Sequence, residues 1–196
     1  KIMKELGASD DDIVYLSALD EILNENGFKQ GLKRFDDGGK TYLLKQGNNN
    51  LKNNDNEEIY ERPSFGFNLD MYVYKFNLFC KPIDVAQMTQ FSLLKKILPA
   101  TIRSLSIHTH DAIKNSGWHF TFLDNTDGDR VHDKHRSWAH SRDRLPNQKV
   151  KFTHQSKQES LQRMFLDYQT KHVEITKETH PKYLIDNLEK YKNYIF

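Results

Sequence analysis

Asp20 and Glu21 are the residues of this chain whose type and position most invite chemistry. They close the segment DDDIVYLSALDEI, Asp10 to Ile22, in which three acids precede a short apolar run and two follow it. Carboxylates at the carboxyl edge of a strand sit where open α/β sheets bind ligands. Hard cations such as Mg2+ or Mn2+ take oxygen ligands, and often share one or two carboxylates with a substrate diphosphate. The same two acids also suit a plainer role, because acidic side chains favour the first turn of a following helix.

The histidines form a second set. His108 and His110 make an H-x-H pair, His119 lies in SGWHFTF, and His132, His135 and His140 follow closely. Neutral imidazole binds transition metals, yet no zinc spacing is present and no cysteine lies near. Each histidine alone is read as a hydrogen-bonded structural group, His119 excepted. In a strand, His119 points away from Trp118 and Phe120, so it faces the side opposite that aromatic pair. DNTDGDR, Asp124 to Arg130, looks like part of a calcium loop but lacks the later glutamate, and it reads better as a solvated turn. Arg103, after LPAT, suits either a phosphate or carboxylate contact or a structural ion pair.

These residues need elements to hold them. Lys1 to Leu6 reads as the end of a helix capped by Gly7. Ile13 to Leu16 is a continuous apolar run, expected to be a central strand covered on both faces. Gly66 to Cys80 is expected to be one long strand, Thr101 to Ile107 and Gly117 to Leu123 two more, and Asp124 to Asp133 a polar loop. MTQFSLLKKILP suggests a short helix stopped by Pro99. Ser156 to Tyr168 and Lys182 to Tyr194 carry apolar residues at helical spacing. Asn24 to Pro63 reads as irregular, with an Asn-rich surface loop at about 46–58. Helix followed by buried strand is the rhythm of an α/β sheet, here in one domain over residues 1–196.

Composition narrows the function classes. A formal charge of +2 on 196 residues gives no electrostatic case for nucleic acid. No apolar run approaches the roughly 20 residues of a membrane span, so no membrane segment is expected. The single cysteine, Cys80, excludes an internal disulfide and reads as a buried thiol. Phosphate-binding glycine loops, the Rossmann fingerprint and the G-x-S-x-G elbow are all missing.

Several blocks in one order, DDDIVYLSALDEI, LDMYVYKFN, ILPATIRS, IKNSGWHFTFL, SWAH and HPKYLIDNLEKYKNYI, resemble glycosyltransferase family 17, the β-1,4-mannosyl-glycoprotein N-acetylglucosaminyltransferases. The first block and the G-W-H-F block are specific as a pair. The resemblance implies a GT-A-like mixed sheet flanked by helices, lacking its N-terminal nucleotide-binding part. It implies inverting, metal-assisted transfer of a GlcNAc-like sugar from a nucleotide-sugar donor to a glycan or glycoprotein acceptor. Asp20 then corresponds to the second aspartate of D-x-D and Glu21 to the acid after it. Mn2+ or Mg2+ is assigned to Asp20 and His119, and donor contacts to Asp20, Arg103 and Trp118. A general base is to be sought among Glu21, His140 and Asp143. Three positions depart from the pattern. Ala18 replaces the first aspartate, Leu23 the proline, and Arg142 stands where an acid is usual, with Asp143 one later. The same features fit a second expectation, a degenerate member that binds a glycan or protein without catalysis.

Overall fold

The computed structural model describes residues 5–38, 64–105, 112–137 and 156–196. In chain order these form β1 (Ile13–Leu16), β2 (Glu21–Leu23), α1 (Glu25–Asp36), β3 (Ser64–Val73), β4 (Leu78–Gln90), α2 (Phe91–Leu94), α3 (Pro99–Leu105), β5 (Gly117–Thr121), α4 (Asp129–Ser137), α5 (Lys157–Asp167), β6 (Lys171–His172), α6 (Lys182–Asp186) and a 3-10 segment, Leu188–Tyr194. Six strands make one sheet in the order β1-β4-β3-β5-β2, with β6 on β4. β1 and β6 run antiparallel to β4, and β3 runs parallel to β5. The expected α/β class therefore holds, as a mixed sheet flanked by helices. The Asn-rich segment at 46–58 lies outside the described residues.

Two compact units share the chain. One comprises Lys1–Leu69 and Ile83–Gly117, the other Asp70–Pro82 and Trp118–Phe196, and β3, β4 and β5 contribute residues to both.

The first unit is built on Phe65, Phe67, Leu69, Ala86, Met88 and Ile113, with Tyr15, Leu23, Leu32, Phe35 and Val85 packed against them. α1 supplies Leu32 and Phe35. It starts at Asn24, whose side-chain oxygen accepts from the Gly27 N–H at 2.7 Å, the usual solution for an orphan donor at a helix start. Gly27 and Gly31, four residues apart, lie on one helix face. A Cβ at Gly27 would come within 2.6 Å of the Ser116 carbonyl oxygen, and one at Gly31 within 3.0 Å of the Phe67 ring. Two glycines of the segment expected to be irregular are thus the points where a helix meets the rest of its unit at backbone distance. Only these tertiary contacts, and not local propensity, reveal them as helical.

Other expectations change for similar reasons. Among the described residues β1 is an edge strand, paired with β4 alone, and its side chains are half-exposed rather than covered on both faces. Thr101–Leu105 is helical. Pro99 begins α3 instead of ending a helix, because its fixed φ suits the first helical position and its missing N–H is not needed there. The segment Gly66 to Cys80 folds as two strands around the turn Tyr74–Asn77. Tyr74 takes φ 72°, a costly conformation for a non-glycine residue. It is held by its N–H on the Thr121 carbonyl at 3.2 Å and by the Asp124 N–H on its own carbonyl at 3.0 Å. α4 occupies the second half of the expected polar loop.

The second unit centres on Tyr72, whose ring meets Phe79, Phe120 and His180 at 5.6, 5.4 and 4.6 Å between centroids. α5 carries the expected helix, closed by a reciprocal capping box between Ser156 and Glu159. The last helix divides at Asn187, whose side-chain amide donates to the Tyr183 carbonyl at 2.8 Å. Such local side-chain bonds compete with helix continuation.

Gly27→Ala, which forces the Ser116 backbone to move, should lower unfolding free energy by about 1–3 kcal/mol in urea titration, the usual cost of overpacking. If Gly27→Ala is neutral, close approach is not what holds α1.

Candidate functional site

In the first unit, β1 delivers the chain into the turn Ser17–Asp20, and β2 begins at Glu21. The Glu21 N–H donates to the Ala18 carbonyl at 3.2 Å, and the Ala18 N–H donates back to Glu21 Oε2 at 2.9 Å. Glu21 Oε1 meets Arg103 Nη2 at 2.6 Å. The Glu21 side chain is only 2% exposed against 37% for Arg103, so the carboxylate has left water and the guanidinium and the Ala18 N–H take the place of its solvent partners. Thus Glu21 and Arg103, assigned separate roles by sequence, form one ion pair. Asp20 is half-buried on the turn beside it. Tyr15 stands close by, its ring edge-on to Phe67 at 5.9 Å, and burial pushes its phenol up to about 12, so it stays protonated.

What fixes β2 is Gly117. Its φ is 149°, and a Cβ there would sit 2.0 Å from the Ile22 carbonyl oxygen. The first residue of G-W-H-F is therefore a glycine for steric reasons. The Asn24 N–H reaches the Ser116 carbonyl at 2.8 Å, and its side-chain amide reaches the Asn115 carbonyl at 2.9 Å. Asp10 and Asp12, at the start of the chain, have structural partners. Asp12 accepts the Ser9 N–H at 2.9 Å, Asp10 pairs with Lys95, and their carbonyls receive the Phe91 and Ser92 N–H groups.

In the second unit, β5 carries Trp118 and His119, in register with Asp70 and Met71 of β3. The Trp118 indole N–H and the Tyr72 hydroxyl both donate to the Thr179 carbonyl, at 2.8 and 2.9 Å. His180, next along, is fully buried. Its Nε2 lies 2.7 Å from the Phe76 carbonyl and must carry the proton, while Nδ1 lies 2.8 Å from Thr179 Oγ1. Burial holds its pKa below the ordinary histidine value.

Asp124 is equally hidden. Burial alone pushes its carboxyl upward, but donors from Thr126, Val131 and Gly128 outweigh that and hold it below the ordinary range. Thr126 N and Oγ1 lie 2.5 and 2.7 Å from Oδ1, and Val131 N lies 3.0 Å from Oδ2. The expected solvated turn is instead a buried acid anchoring the start of α4. Its sequence signal was an Asp followed by Thr two residues later, an Asx-turn pattern.

The assigned residues therefore divide by unit: Asp20, Glu21 and Arg103 in the first, Trp118 and His119 in the second. His140 and Asp143, with His108 and His110, lie outside the described residues. Asp70 escaped the sequence reading. Its signal was an aspartate inside a strand run, where that residue is depleted. No protein-family model, curated protein or solved structure matches the chain.

Two measurements test these assignments. Glu21→Gln keeps shape but loses charge, and should cost about 1–3 kcal/mol in urea unfolding, the usual cost of weakening a buried charged hydrogen bond. A neutral result would mean the ion pair does not hold the turn. His180 binds its proton more weakly folded than unfolded. Its contribution is therefore complete above the unfolded value of about 6.5 and is lost as pH falls below it. Melting temperature should drop over that range, and less so in His180→Gln.

Proposed function

We propose that the chain is a glycosyltransferase, or part of one, transferring a GlcNAc-like sugar from a nucleotide-sugar donor to a glycan acceptor with inversion, on a GT-A-like fold of the family 17 type. The mixed α/β sheet is compatible with that fold. The observation that carries the reading is the end of β1, where the turn presents Asp20 next to a carboxylate already neutralised by Arg103.

Asp20 suits a hard cation by ligand type, since Mn2+ and Mg2+ favour carboxylate oxygen and keep several waters and phosphate oxygens. Glu21 suits it less, because both of its oxygens are engaged by Arg103 and the Ala18 N–H. A bound cation would offset the negative charge that develops on the departing nucleotide diphosphate. Glu21 in this reading positions the turn rather than acting as base, and Arg103 fixes Glu21 before it meets any phosphate. His119 remains the family-based second ligand, and Trp118 a donor contact.

A second reading is a degenerate member that binds a glycan or protein partner without catalysis. It is favoured by Ala18, whose place in D-x-D the family gives to an acid, and whose N–H here closes the Glu21 turn.

The test is a thermal-shift and hydrolysis assay with UDP-N-acetylglucosamine and Mn2+. Ligand bound to the folded state raises the melting temperature by mass action. We expect a Mn2+-dependent rise and slow release of UDP, both lost in Asp20→Asn and separately reduced in His119→Ala. A shift without UDP release counts against turnover and favours the degenerate reading. The absence of any shift with UDP-sugars sinks the transferase reading.

A further inference from the structure

The second unit holds Asp70, an acid set inside a strand. Along β3, Asp70 and Tyr72 point to one face, while Met71 and Val73 point to the other. Met71 and Val73 are buried. Asp70 is half-buried, and burial holds its carboxyl above the ordinary aspartate range with no opposing cause. Among the described residues no hydrogen bond or ion pair is found for it. The two fully buried acids of the described residues, by contrast, have donors: Glu21 has Arg103 and Ala18, and Asp124 has Thr126 and Val131.

Directly beside Asp70, in register on the parallel strand, is Trp118. The indole cannot turn freely, because its N–H is tied to the Thr179 carbonyl at 2.8 Å. The neighbouring Tyr72 hydroxyl is tied to the same atom at 2.9 Å. Trp118 is itself only half-buried. A fixed indole next to an acceptor-only carboxylate is an arrangement suited to a neutral ligand with an apolar C–H face and several hydroxyl donors. A carboxylate held partly out of water at some cost in stability is also common at binding sites.

We propose that Asp70 and Trp118 form a saccharide-binding site in the second unit, in which the Asp70 carboxylate accepts hydrogen bonds from ring hydroxyls and the indole packs against the sugar's C–H face. The ligand class rests on the glycosyltransferase reading, and the site would serve the acceptor.

The experiment is calorimetric titration of the full chain with N,N′-diacetylchitobiose and with mannotriose, alongside thermal melting at pH 7.5. The wild type should bind at least one saccharide, and Asp70→Asn should bind it at least tenfold more weakly. Asp70→Asn should also melt at or above the wild-type temperature, because it removes a charge that burial disfavours. A variant that melts lower, or binds as the wild type does, overturns the site. So does a wild type that binds neither saccharide. The two readings separate cleanly. UDP-N-acetylglucosamine binding without saccharide binding refutes the site alone, whereas saccharide binding without any nucleotide-sugar effect refutes the donor reading and leaves Asp70 in place.

Discussion

The first unit closes on a contact that leaves no room for a side chain. The backbone from Ile113 to Gly117 is gripped from three directions. Ile113 and Ser116 bond to the β3 backbone at Gly66 and Asn68, Asn24 bonds to Asn115 and Ser116, and Gly117 lies against Ile22 of β2. The hydrogen bonds among these satisfy backbone groups that burial would otherwise leave orphaned. Because β2 and the start of α1 rest on this loop, the position of Glu21, and of Asp20 before it, depends on an absent Cβ nearly a hundred residues away.

The second unit is pinned by buried polar groups instead. His180 ties the stretch after β6 to the Tyr74–Asn77 turn through Phe76, and Asp124 gathers the donors at the start of α4. Asn77 completes the same pattern at the tail. Its side-chain oxygen accepts the Phe196 N–H at 2.9 Å, and its amide donates to the Phe196 carbonyl at 3.2 Å. A satisfied buried network of this kind specifies one arrangement, since any alternative strands a donor or acceptor away from water.

Charge is the common thread between fold and proposed chemistry. Acids that look chemical in the sequence turn out to be largely occupied: Asp10 by Lys95, Asp12 by Ser9, Glu21 by Arg103, and Asp124 by the first turn of α4. Glu21 is accordingly a brace of the turn rather than an open ligand, and Asp70 is an acid that ordinary strand patterning passes over. Among the described residues no helix is long and apolar enough to cross a membrane.

The sequence by itself determined the features that depend on neighbours a few residues apart. The α5 helix with its capping box, the β1 and β5 strands, and the α/β alternation are of this kind, because periodicity and caps act over one or two turns of chain. Tertiary structure alone decided which strand lies at the edge, that α1 is a helix despite Gly27 and Gly31, and that Gly66 to Cys80 turns back at Tyr74. It also decided the roles of the acids. Glu21 and Arg103 are 82 positions apart, and nothing local marks them as partners. Whether a carboxylate is a ligand or a brace depends on what the fold brings to its oxygens, and that is set by packing at a distance.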